Sequence, residues 1–368
     1  MKSLQIGDLT VRYPIVQGGM GVGISLSGLA SAVANQGGIG VISAVGIGML
    51  EGDRKHYREN NQKLFRREIR KARELSPTGA LGANIMFAIT DFEDMFRISL
   101  EEGLDVVIVG AGLFLKKPES VSEEEFMTTK TKIIPKLSSG RAVKLTFKVW
   151  DEKFGKIPDA VVIEGPMAGG HLGFKKRELT GELQPLEDIV RDTREVLKPF
   201  EDKYGVHIPI IAGGGIYTGE DMFNIMQQGA DAVKMGTRFV TTEECDASLE
   251  FKMEYINAKK DDIVIIDSPV GLPGRAVEND FIRSVNAGEK KPVKCAWRCL
   301  KSCDWRNVPY CIADALANAA QGNLENGFAF AGSNAYRATE IKTVEEVFNE
   351  IIEEYNQAEI NNLVEASV

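Results

Sequence analysis

The chain is short of three things, and each shortage narrows the reading. Basic charge is in deficit: 44 lysines and arginines face 53 aspartates and glutamates, a formal charge of −9. A phosphodiester backbone demands a basic surface, so nucleic acid is not expected as a partner. The densest basic run, Arg66, Arg67, Arg70, Lys71 and Arg73, alternates with Glu68 and Glu74 and reads as a solvated helix face. Long apolar runs are also missing. No window reaches the roughly 18 uninterrupted apolar residues of a membrane span. The first apolar stretch is broken by Pro14 and four glycines, unlike a secretory leader. A cytoplasmic location is expected, where the five cysteines stay thiols or metal ligands and do not form disulfides. Histidine is scarce, with only three in the chain, so each can be weighed by its neighbours.

What is abundant is glycine, 37 residues in 368, in an otherwise ordinary composition of 43% hydrophobic and 26% charged. The length alone suggests about two domains, although an α/β barrel holds about 250 residues as one. Short apolar, β-branched runs, most of them followed by glycine-rich or polar loops, predict strands at 13–17, 39–43, 80–85, 105–109, 142–147, 159–164, 208–212 and 231–235. Helical periodicity fills 91–102, where Phe92, Met95, Phe96 and Leu100 share a face, and also 184–200 and 219–229. Continuous apolar strands are those of a parallel sheet covered on both faces. Eight strand–helix units in about 240 residues favour a closed (β/α)8 TIM barrel over an open sheet, whose single glycine fingerprint follows its first strand.

After the eighth strand the rhythm breaks. Residues 245–330 are expected to form a mainly helical insertion or second lobe after a barrel at 1–244, with 331–368 returning to the barrel as a helix. In that last segment Val344, Val347, Phe348, Ile351 and Ile352 make one stripe, and Thr343 precedes Glu346 by three residues, the spacing of a capping box.

The seventh and eighth strands end in Gly213-Gly214-Gly215-Ile216 and Met235-Gly236-Thr237-Arg238. These are the two positions where barrels of this class build a phosphate site, glycine letting backbone N–H groups approach the anion. The loop after the sixth strand runs Glu164-Gly165-Pro166-Met167-Ala168-Gly169-Gly170-His171-Leu172-Gly173. A histidine there faces the active end of a barrel, where imidazole can exchange protons near neutral pH. His56, in a charged run, and His207, at the opposite rim, read as surface or structural residues. Lys144, on the predicted fifth strand, points either into the barrel mouth or out to a helix, and Lys175, Lys176 and Arg177 read as a solvated loop end.

With these motifs in hand, the chain resembles the nitronate monooxygenase family, formerly 2-nitropropane dioxygenases, which is closely similar to the flavin-dependent enoyl-acyl-carrier-protein reductases. The resemblance rests on PIVQGGMG at 14–21, GANI at 82–85, AGGHLG at 168–173, PIIAGGGI at 209–216 and MGTRF at 235–239, in family order. It implies non-covalent FMN at the barrel mouth. Gln17, Gly18, Gly19 and Met20 would lie along the isoalloxazine, and Asn84 would bond the flavin or its ribityl chain. Gly169 would approach the cofactor, while Gly214, Gly215, Met235, Gly236 and Thr237 would surround the phosphate. His171 would stand beside the flavin as the catalytic residue. Glu164 departs from the glutamine common at its position, and a carboxylate there would lower the flavin's electron affinity unless protonated or paired.

Cys295, Cys299 and Cys303 fall at i, i+4 and i+8, with Cys311 beyond Pro309. On a helix that spacing puts three thiols on one face, within reach of zinc or an iron–sulfur cluster. C-x3-C-x3-C is not a standard spacing for either, and structural thiols with no metal are expected. The leading function is oxidation of alkyl nitronates with O2; the alternatives are an NAD(P)H-dependent enoyl-thioester reductase and a non-catalytic flavin-binding redox sensor. The intact His171 loop speaks against the sensor. The partners expected are small molecules, with homo-oligomerisation open.

Overall fold

The computed structural model describes residues 1–51, 56–181, 184–291, 293–295 and 297–365. Eight parallel strands close into a barrel: β1 (Ile15–Gln17), β2 (Ile39–Ser43), β3 (Ala80–Met86), β4 (Val106–Gly110), β5 (Lys132–Leu137), β6 (Val161–Glu164), β7 (Ile210–Gly213) and β8 (Ala232–Met235). Seven lie where the sequence pattern places them. The fifth does not, and that is a correction. Residues 142–147 belong to the helix Gly140–Phe154, whose buried face is Val143, Phe147 and Trp150, at i, i+4 and i+7. Ser139 caps its start by accepting from the Ala142 N–H, and Gly155 ends it at φ 60°. The true strand, KIIPKL, carries Pro135, which cannot donate to a ladder and so weakens the strand pattern. Lys144 is therefore an exposed helix residue, and Lys136 takes its place at the barrel.

Side chains alternate along each strand, and the inward set is apolar: Val16, Val41, Ile108, Ile134, Val162 and Ile211 pack in one buried cluster. Leu4, Ile6 and Val11, from the hairpin Leu4–Ile6/Leu9–Val11, join that cluster and plug the N-terminal end. Two residues further along the strands the same inward face becomes polar. Ser43, Asn84, Lys136, Glu164 and Lys234 follow in register, with glycine at 110 and 213. The C-terminal mouth is thus a polar floor with gaps where side chains are missing.

Helices wrap the barrel. Tyr57–Leu75 buries Leu64, Phe65 and Ile69, and its basic face is paired: Arg66 and Arg70 both reach Glu102. The terminal helix Val344–Glu365 packs against Gly219–Gln227, and Thr343 and Glu346 form the expected capping box, with N–H donors bonded in both directions.

The stretch 245–330 is less helical than its sequence suggests. Between the helices Leu249–Asn257, Asp280–Asn286 and Ile312–Ala320 lies an antiparallel pair, β9 (Ile263–Asp267) and β10 (Pro273–Val277). β10 extends this sheet onto Gly170–His171, pairing Gly274 with His171 and Arg275 with Gly170. Cys295 and residues 297–303 are not helical, so the one-face spacing expected for the cysteines does not apply.

Candidate active site

The mouth is assembled from strand ends packed too tightly for side chains. A Cβ on Gly19 would lie 2.3 Å from the Asn84 Cβ, and one on Gly18 would lie 3.0 Å from the Gly236 Cα. The Gly18 N–H donates to the Met235 carbonyl at 2.7 Å, and Met20 lies over Gly236. These contacts bring the first, third and eighth strands together as the motifs imply. Gln17 is placed differently from a flavin contact. It is fully buried, its Nε2 donates to the Gly18 carbonyl, and its Oε1 accepts the Val41 N–H at 2.8 Å. β1 and β2 share a single ladder pair, Val16 with Ile39, and the Gln17 amide supplies the next bond. It acts on the site by holding Gly18.

Opposite, Gly214 and Gly215 adopt φ of +102° and +95°. A Cβ on Gly214 would meet the Gly165 carbonyl at 2.9 Å; one on Gly215 would meet the Met167 Cβ at 3.0 Å. Gly169 lies against the backbone of Ala331 and Gly332, where a Cβ would come within 2.5 Å. The Gly332 N–H donates to the Thr237 Oγ1 at 3.1 Å, and Asn334 donates to the Gly215 carbonyl at 2.7 Å. Segment 331–334 therefore completes the rim around the seventh and eighth loops, a contribution that no local pattern in the sequence announces. The hydroxyls of Ser333, beside this rim, and Ser43, beside Gly21, are buried with no partner among the described residues. Unpaired hydroxyls beside glycine strand ends are groups that a ligand with phosphate and polar ring atoms can satisfy.

Glu164 is paired. Both its oxygens receive Lys136 Nζ, at 2.8 and 2.7 Å. Lys234 lies across Gly213 from Glu164; burial and the Lys136 charge pull its ammonium down to about 8, against the pull of Glu164. The floor therefore holds two lysines and one carboxylate, and of the alternatives open for Glu164 the structure shows the paired one. Lys136 escaped the sequence reading with its strand. Lys234 was readable as the inward residue two after Ala232.

His171 sits above this floor, edge-on to Phe330 at 4.9 Å between ring centroids. Its Nε2 is 2.7 Å from the Ser268 Oγ in the β9–β10 turn, which leaves Nδ1 for a ligand. Burial first, then the Lys136 charge, lowers its pKa to about 4. The imidazole is thus neutral at physiological pH, its Nδ1 free to accept or donate one hydrogen bond according to the tautomer. Arg275, buried, donates to the carbonyls of Pro166 and Ala168 and clamps the loop that carries His171. His207 meets Glu201 and Asp231 at the far rim, as its structural reading requires, and His56 is exposed.

A closed parallel barrel with a glycine-walled, polar C-terminal mouth and a half-buried neutral histidine defines a (β/α)8-barrel oxidoreductase site. Residues 2–354 match the family model described as nitronate monooxygenase, and the chain belongs to that family. It is 29% identical over 304 residues to a "Probable nitronate monooxygenase" of Staphylococcus saprophyticus, covering 76% of this chain and 79% of that one. A namesake from Staphylococcus aureus is 28% identical over 297 residues, with the same coverage. Among solved structures, FabK from Thermotoga maritima superposes with a TM-score of 0.72 at 26% identity, covering 97% of this chain and 96% of its own. The nitroalkane oxidase of Streptomyces ansochromogenes reaches 0.71 at 19% identity over 95% and 98%, a likeness of fold alone. Among the described residues no helix is long and apolar enough to cross a membrane.

Proposed function

We propose that the chain is an FMN-dependent oxidoreductase that oxidises alkyl nitronates with O2. The observation that carries this reading is the neutral His171 standing over a paired Lys136–Glu164 floor, beside a mouth walled by Gly18, Gly19, Gly169, Gly214, Gly215 and Gly236. The phosphate would be received by the Gly214–Gly215 and Met235–Thr237 backbone, with Ser333 near it, and the ring system would lie along Gly18–Met20 and Asn84. FMN, when bound, supplies the electron-accepting ring; the protein supplies orientation and charge. His171 Nδ1 takes the α-proton of a neutral nitroalkane, or holds a nitronate oxygen by donating to it. Ser268 fixes the ring for either task. Phe330 keeps bulk water from its edge. Lys136 and Lys234 leave a net positive floor for an anionic substrate or reduced ring.

A second reading is favoured by the likeness to FabK, an enoyl-acyl-carrier-protein reductase, over nearly the whole chain. There NAD(P)H would be the electron donor and an enoyl thioester the acceptor. Anaerobic mixing separates the two. On the leading reading an alkyl nitronate bleaches the oxidised-flavin band within a turnover and NADPH or NADH leaves it unchanged. Rapid bleaching by a nicotinamide alone would replace it with the second reading.

The low pKa of His171 has a testable sign. A lowered pKa keeps the imidazole neutral down to about pH 4, so activity that needs the neutral form persists above that and is lost below it. With a neutral nitroalkane, kcat/KM should show its acid limb near pH 4; a limb near 6.5, the value of an unburied histidine, would show that His171 is solvated in the working enzyme.

A further inference from the structure

Away from the barrel mouth, four of the five cysteines converge. Cys295, Cys299, Cys303 and Cys311 line one cavity of ≈390 Å³. The fifth, Cys245, is buried elsewhere, its thiol against the Ile24 carbonyl. Thiols used as small hydrophobes close-pack with their neighbours. These instead border a space with room for a dozen waters, at about 30 Å³ each.

The walls of that space have one sign of charge. Arg298, Lys301 and Arg306 line it, and no aspartate or glutamate does among the described residues. Such a lining suits a group of net negative charge. The backbone is arranged around sulfur as well. Arg298 takes φ 48°, and its N–H donates to the Cys295 Sγ at 3.4 Å. Cys311 stands at the N-cap of the helix Ile312–Ala320.

The cavity is also anchored to the enzyme. The Thr90 N–H donates to the Cys299 carbonyl and the Lys301 N–H to the Ala88 carbonyl, each at 3.0 Å. These bonds tie the cysteine segment to the loop that follows β3, the strand bearing Asn84.

We propose that Cys295, Cys299, Cys303 and Cys311 are the ligands of an iron–sulfur cluster of the [4Fe–4S] class seated in this cavity. A single zinc ion fits less well. Zn–S bonds of about 2.3 Å would draw tetrahedral sulfurs to about 3.8 Å of one another. Among the described residues no three cysteine, histidine or acidic groups stand together closely enough to hold one ion. In a four-iron cluster each thiolate binds a different iron, so the sulfurs stay further apart around a larger body, which matches the cavity. Assembly replaces four S–H bonds with four S–Fe bonds, the protons leaving to solvent, with iron and sulfide supplied from outside.

The test is elemental and spectroscopic and does not depend on turnover. Protein purified without oxygen, or reconstituted under argon with ferric iron, sulfide and a dithiol reductant, should hold about four iron and four acid-labile sulfide per chain. Dithionite should then produce a low-temperature EPR signal. Cys299→Ser and Cys303→Ser should each lose more than half of the iron, and Cys245→Ser should lose none. Flavin content and the melting transition show whether each variant folds; Cys303, half-buried, is the substitution least disruptive to packing. Wild-type protein with no iron and sulfide after reconstitution, with stoichiometric zinc alone, or with iron kept in folded Cys299→Ser and Cys303→Ser variants would overturn the proposal.

Discussion

Alanine at His171 should lower turnover on neutral nitroalkanes by about 10²- to 10⁴-fold, the range for loss of a general acid or base, and leave FMN bound. The fold around it should survive, because position 171 is held by its main chain to Gly274 and by the Arg275 clamp on the preceding loop. The loss should be smaller on preformed nitronates, which need no proton removed. Turnover on both forms, measured at a pH where the nitronate does not rapidly reprotonate, separates proton transfer from positioning. Unchanged turnover on each would reduce His171 to a brace for its loop. Loss of the flavin would instead assign the loop after β6 to cofactor binding, and the rates could then not be read as chemistry.

Valine at Gly214 should act on the cofactor first. Its φ of +102° is one that a branched side chain adopts only under strain, at a cost of about 1–3 kcal/mol. Its Cβ would also press on the Gly165 carbonyl at 2.9 Å and the Ala168 nitrogen at 3.1 Å, pushing the loop after β6 off the loop after β7. Together these should weaken FMN binding by about 10- to 100-fold, at about 1.4 kcal/mol per decade. Titration of apoprotein with FMN, followed by flavin fluorescence, reads this directly. Gly205→Val is the control: its φ is +65° but a Cβ there meets nothing within 4 Å. It should cost stability without touching flavin affinity. Equal flavin affinity in Gly214→Val and wild type would remove the seventh loop from the phosphate site.

The sequence by itself determined the parallel barrel, because strands buried on both faces must be continuous apolar runs, and seven of the eight stand out as such. It also determined the glycine loops, since close backbone approach leaves only one residue type, and the prominence of His171 on its loop. It misplaced the fifth strand: Pro135 broke the strand pattern of 132–137, while Val143, Phe147 and Trp150 concealed a helical face inside an apparently alternating run. Only the tertiary structure decided what surrounds the site. Ser268, Arg275, Phe330 and Ser333 reach it from about 100 to 160 residues beyond the loop that bears His171, through a hairpin whose strand β10 pairs with Gly170–His171. Strand pairing of that kind depends on edges meeting in space, which no local period encodes. The pairing of Glu164 with Lys136 likewise required β5 and β6 to be neighbours in a known register. The cysteines make the same point: a helical spacing that does not exist would have aligned three of them, whereas an irregular fold gathers all four around one cavity.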